Sequence, residues 1–333
     1  MIRPFAAILP LVLALACGGG GTDSAPTGGT TTLPTPAPIR SISPAATDPA
    51  ISTYLQHHLA EAPASGTPAK HRLFVFLPGT GGQPAYQQLV LLTGSAQGYH
   101  AIGLMYPNTP SIGSLCDDST DPDAHWKARC EIVTGQDLSP LVSVNATECI
   151  EHRLAALLAY LASTYPSEDW GQYMASGHPD WTKIVIAGHS QGGGHAGVIA
   201  KLHPVYRCVC FSSPADWRNP VNQPASWYAT AGATDASRIF GFSHQQDEVV
   251  TWPLVTANWI ALGLDAYGAA VNVDSSSAPY NGSHALSSNL PHATSTGSYP
   301  ASYHGATVVD LSTPRLADGS PAYRPVWIQL CFP

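Results

Sequence analysis

Residues 183–192 read KIVIAGHSQG, and no other stretch limits what this chain can fold into as strongly. An unbroken apolar run rich in β-branched residues suits a strand buried on both faces, as in parallel sheets. It runs into Gly188-His189-Ser190-Gln191-Gly192, a G-x-S-x-G pattern, and then into the small-residue helical stretch GGHAGVIAKL. The two glycines allow a sharp turn between strand and helix, so that Ser190 can project toward solvent. The N-terminus of the following helix favours negative charge developing beside that hydroxyl. Ser190 is therefore the candidate nucleophile. The bland alternative, a turn serine that merely caps the helix, is disfavoured by the strand before it and the helix after it.

Apolar runs alternate with helical patterns along the rest of the chain, which predicts an α/β fold with a mostly parallel central sheet flanked by helices. Strands are expected at 73–77, 101–106, 183–187, 207–211, 239–242 and 269–273. Helices are expected at 86–96, from 150 to about 165, from the Ser190 turn to about 203, and at 326–332. Asn145 and Glu148 have capping-box spacing ahead of Ile150, Leu154, Leu157, Leu158 and Leu161. Residues 109–144 show little periodicity and read as a cap-like excursion over a cleft.

Composition excludes several classes. Charged residues are 11% and apolar residues 44%, so the chain can build a core and is not intrinsically disordered. Gly and Pro number 30 each, which rules out a long-helix protein. Net charge is −8, with 14 basic against 22 acidic side chains, so no footprint for nucleic acid exists. Neither metal-ligand spacing nor a phosphate cradle occurs, and neither a metal nor a cofactor is expected.

The N-terminus carries an address. Residues 1–16 have one early cation, Arg3, and then an apolar run too short to span a bilayer, the pattern of a signal peptide. Leu13, Leu15 and Ala16 ahead of Cys17 resemble a bacterial lipoprotein box, although Ala14 stands where Leu is usual. The resemblance implies lipidation at Cys17, with membrane attachment through that anchor; ordinary secretion is the alternative. Residues 17–48 are a Gly/Thr/Pro-rich tether, and the catalytic domain is expected over 49–333. The other cysteines are Cys116, Cys130, Cys149, Cys208, Cys210 and Cys331. Six in an oxidising compartment predict three disulfides of unspecified pairing.

Around the Ser190 elbow the chain resembles the α/β-hydrolase family, from about Leu73 to Phe332. In that family a second signature loop follows an early strand. LFVFLPGTGG stands in the corresponding place, with Pro78 where many members have His. The resemblance implies an oxyanion hole from the backbone amides of Thr80 or Gly81 and of Gln191. It also implies the order Ser, Asp, His. Asp247 follows the strand that usually supplies the acid; Asp216 is the alternative and Glu248 a third, solvated candidate. His304, next to Gly305, is slightly preferred as base over His284. His189 is expected to pack beside the site, and His195 and His292 to be bystanders.

The function implied is an exported Ser-His-Asp hydrolase of carboxylic esters with an extracellular substrate. Lipase, polyester depolymerase or peptidase action on the same fold is the enzymatic alternative. A non-catalytic surface-binding lipoprotein is the other.

Overall fold

The computed structural model describes residues 39–294 and 301–333. The expected leader, Cys17 and most of the tether lie outside the described residues. The end of that tether belongs to the fold instead. Arg40–Ile42 (β1) pairs antiparallel with His58–Glu61 (β2), so the folded region begins ahead of residue 49.

The strands that follow are Leu73–Leu77 (β3), His100–Gly103 (β4), Ile184–His189 (β5), Arg207–Phe211 (β6), Ile239–His244 (β7), Val271–Asn272 (β8) and Ala285–Ser288 (β9). They form one nine-stranded sheet in the order β1-β2-β4-β3-β5-β6-β7-β9-β8. From β4 to β8 every pairing is parallel, and β2 runs antiparallel to β4. The flanking helices are Gln88–Ala96 (α1), Ala124–Thr134 (α2), Ile150–Thr164 (α3), Gln191–Leu202 (α4), Trp252–Ala261 (α5) and Arg324–Cys331 (α6).

Strand alternation divides the core between the two faces of the sheet. On β3, Leu73, Val75 and Leu77 pack in the same layer as Ala128 of α2, Leu154 of α3, Ile199 of α4 and Val255 of α5. Phe74 and Phe76 point the other way, toward Leu91 of α1 and Trp327 of α6. Covering both faces is what requires the unbroken apolar strands seen in the sequence.

Three local expectations are corrected. The stretch 269–273 is not the last strand: only Val271–Asn272 pairs, and β9 is inserted between it and β7. The Ser-rich sequence of β9, ALSS, carries no strand signal, although all four residues are buried. The capping box does not close either. Cys149 is the N-cap of α3, its Sγ accepting from the His152 amide at 3.5 Å. The Glu148 carboxylate instead accepts from Ser52, Thr53 and Arg153. The excursion packs a short helix, Ile112–Cys116, and α2 into the core layer beside α4, so it buttresses the elbow helix.

The cysteines depart furthest from expectation. Cys116, Cys130, Cys149, Cys208, Cys210 and Cys331 are all free and buried. Cys116, Cys130, Cys208 and Cys210 share one core layer, whereas Cys331 belongs to the layer across the sheet. They pack as small hydrophobes, and burial pushes the Cys116 and Cys130 thiols up to about 12, which leaves them unreactive. A thiol reagent should therefore find these six closed in the folded protein and all six open in denaturant without reductant. Fewer than six after denaturation would restore the disulfides.

Candidate active site

Strand order locates the crevice. From β3 the chain moves to β4 on one side, and after the excursion it returns to β5 on the other. Where strand order reverses in this way, the loops leaving the carboxyl ends diverge and open a crevice. β3 feeds the loop Pro78–Gly82 into it and β5 feeds Ser190, with Leu77 and Gly188 paired in register.

Ser190 sits at φ 54° and ψ −121°, in the left-handed half of backbone space that a residue with a side chain rarely adopts. Its neighbours hold it there. The Ser190 amide donates to the Phe211 carbonyl at 2.9 Å, and its carbonyl accepts from the Gly193 and Gly194 amides at 3.0 and 3.2 Å. The flanking glycines are sterically required: a Cβ on Gly192 would stand 2.1 Å from the Leu77 carbonyl oxygen, and one on Gly188 would stand 2.2 Å from the Gly192 carbonyl carbon.

The crevice is a cleft of about 890 Å³ whose lining includes Ser190, His304, His189 and the loop 79–82. His304 belongs to a short helix, Tyr303–Ala306. Its Nδ1 lies 3.0 and 2.9 Å from the two carboxylate oxygens of Asp247. Asp247 is itself oriented by the Val249 and Val250 amides, which donate to Oδ1 at 2.9 and 2.8 Å. Burial pushes the Asp247 carboxyl up, but the His304 ring and the two amides outweigh it and hold the group below the usual carboxylate range. With Nδ1 committed to Asp247, Nε2 is the nitrogen left for the serine. Ser190 and His304 line the cleft together without a hydrogen bond between them, a looseness common where no substrate is bound.

The backbone of His304 is clamped at both ends. Its amide donates to Glu248 Oε2 at 2.9 Å, and the Tyr303 amide donates to Oε1 at 3.2 Å. Its carbonyl accepts from Ser212 Oγ at 2.8 Å and from His189 Nε2 at 2.9 Å. Burial, and then the neighbouring His304, push His189 down to about 3, so it serves as a neutral donor. Glu248 is thus a tether for the short helix and not only a solvated neighbour. Neither Ser212 nor the other partners carry a local signature in the sequence: His189 meets His304 across 115 residues.

The two alternative residues lie elsewhere. His284 directly precedes β9, at the amino end of the parallel strands, opposite the crevice. Its ring is stacked between Phe240 and Tyr267, with centroids 4.0 and 3.9 Å away, and its Nδ1 bonds the Ile239 carbonyl at 3.0 Å. Asp216 leaves β6 at the correct end but is held in a buried pair with Arg129, Nε to Oδ2 at 2.7 Å and Nη2 to Oδ1 at 2.5 Å. Trp227 Nε1 donates to the same carboxylate at 2.8 Å. His195 is fully buried beside Tyr106 and, with His292, is absent from the cleft lining.

Of the expected oxyanion donors, the Gly81 amide is bonded to the Asn108 carbonyl at 3.4 Å, which leaves the Thr80 amide as that loop's candidate. The Gln191 carboxamide ties the two donor-bearing segments together. Its Oε1 accepts from Thr80 Oγ1 and from the Ile112 amide, both at 3.0 Å. Among the described residues no cluster of three or more His, Cys, Asp or Glu side chains could hold a metal ion.

No protein-family model and no curated protein matches this chain. Among solved structures, it is similar to an acetyl xylan esterase from Aspergillus awamori, at 11% identity over 68% of this chain and 80% of that one, with a TM-score of 0.39. It is similar to an α/β serine hydrolase homologue from Coxiella burnetii, at 14% identity over 61% and 75%, with a TM-score of 0.33. An α/β hydrolase enzyme from a Medee basin deep-sea metagenome library is alike at 14% identity over 67% and 77%, also with a TM-score of 0.33. The chain's own strand order and strained elbow define its class: this is an α/β-hydrolase fold.

Proposed function

We propose that this chain is a serine hydrolase of carboxylic esters, working through an acyl-enzyme. The observation that carries the reading is a serine on a strained elbow sharing a cleft with a histidine whose far nitrogen is held by a buried carboxylate. His304 Nε2 takes the hydroxyl proton as Ser190 Oγ attacks the ester carbonyl. The oxyanion that forms is met by the Thr80 and Gln191 amides. Asp247 stays ionised and stabilises the imidazolium, which then protonates the departing alkoxide. Water, deprotonated by the same histidine, releases the acid and regenerates Ser190.

A fluorophosphonate tests this directly, since it phosphonylates only an activated serine. We expect one adduct per chain, on the peptide bearing Ser190, and none after Ser190→Ala. A protein that hydrolyses esters with an unlabelled Ser190 would overturn the reading.

A further inference from the structure

We propose that the ester cleaved at Ser190 carries a long, uncharged, apolar body, which lies along the cleft wall formed by Tyr86, Val309 and Leu311 with Val249 at the mouth. This rests on the hydrolase reading above and extends it to a substrate class.

The first support is charge. Among the described residues no lysine or arginine lines the cleft, and the one carboxylate that does belongs to Asp310. That carboxylate is already occupied, accepting from the Gln88 and Leu89 amides at 2.9 and 3.2 Å. A phosphate or carboxylate group near the scissile bond would lose its hydration and find no cationic side chain in its place.

The second support is where the exposed apolar side chains lie. Among the described residues nine large hydrophobic side chains are exposed, and three of them, Tyr86, Val249 and Leu311, converge on this one cleft. They are 39%, 63% and 43% exposed, far more than packing against the core would leave them. An apolar cluster around a nucleophile is a surface that a substrate can cover.

The third support is rigidity. The Asp310 amide donates to the Tyr86 carbonyl at 2.8 Å, and its carboxylate holds the start of α1. The segment that follows His304 is thereby stapled to the segment that follows the oxyanion loop. The wall is formed before substrate arrives, and at about 890 Å³ the cleft is far larger than an acetyl group needs.

The test is a series of p-nitrophenyl esters from acetate to decanoate, with the hemisuccinate as a charged member of middle length. Where the wall buries each added methylene, kcat/KM should rise roughly two- to fourfold per methylene, about 60-fold or more over the six methylenes from acetate to octanoate. The hemisuccinate should fall well below the butyrate. Val249→Asp and Leu311→Asp each place a charge on the wall at an exposed position that folding tolerates. Either should cut the octanoate-to-acetate ratio by about tenfold. A profile that peaks at acetate, or that neither variant changes, overturns the apolar body while fluorophosphonate labelling of Ser190 still upholds the hydrolase. Failure to label together with failure to turn over any ester overturns both.

Discussion

His304→Ala is expected to lower kcat on a simple ester by about 10⁴-fold or more, close to the loss from removing Ser190, because triad members act as a unit. Without the ring, nothing takes the serine proton, and Asp247 faces an empty site. His284→Ala should leave kcat within a few-fold of the parent. That imidazole is packed between Phe240 and Tyr267 at the amino end of the strands, so its loss is felt in folding stability. Steady-state rates and denaturant melts on both variants separate the two roles. A dead His284→Ala beside an active His304→Ala would overturn the assignment.

Arg129→Met is expected to destabilise the protein by about 3–5 kcal/mol, the usual cost of stranding one member of a buried ion pair. Arg129 and Asp216 are 2% and 1% exposed at the side chain, so little solvent screens the pair. Burial pushes the Asp216 carboxyl up, yet the guanidinium outweighs it and holds the carboxyl at about 2. Because the folded value lies below the unfolded one, this stability is complete above about pH 4. It is lost as pH falls toward 2. Asp216→Asn should cost a similar amount. The double variant Arg129→Met/Asp216→Asn leaves no unpaired charge and keeps an acceptor for Trp227, so most of the loss should be recovered. Urea midpoints across the cycle measure this coupling, and strict additivity would show that the pair does not act as a unit.

The same arginine shows why part of the site could not be read locally. Arg129 Nη1 also donates to the Gln191 carbonyl at 3.0 Å, and its guanidinium stands 2.4 Å from where a Cβ on Gly194 would lie. Gly194 therefore makes room for a side chain from the excursion, a segment with little periodicity of its own. Asp216 looked like a possible catalytic acid because it follows a strand at the correct end of the sheet. What occupies its carboxylate is a partner 87 residues earlier in the chain.

Sequence by itself determined the elements whose information is local. An apolar run marks a strand buried on both faces, two glycines mark the tight turn that presents Ser190, and helical spacing marks α3. For Asp247 the sequence supplied a place and the α/β-hydrolase resemblance supplied the expectation that the acid stands there, at the end of β7. The choice between histidines did not follow. His284 and His304 both come late in the chain with small residues around them, and the choice depends on which end of the sheet each one reaches. That was decided by β9, a short Ser-rich strand whose burial comes from its neighbours β7 and β8 and from no periodicity of its own. The cysteines follow the same rule: their number suggested bonds, but whether two thiols meet is set by where the fold carries each one, and four that share a core layer stay free. Periodicity and turn chemistry act within a few residues and can be read along the chain. Partnerships across some hundred residues exist only after the sheet has formed, and in this protein those partnerships hold His304 in place and take Asp216 away from it.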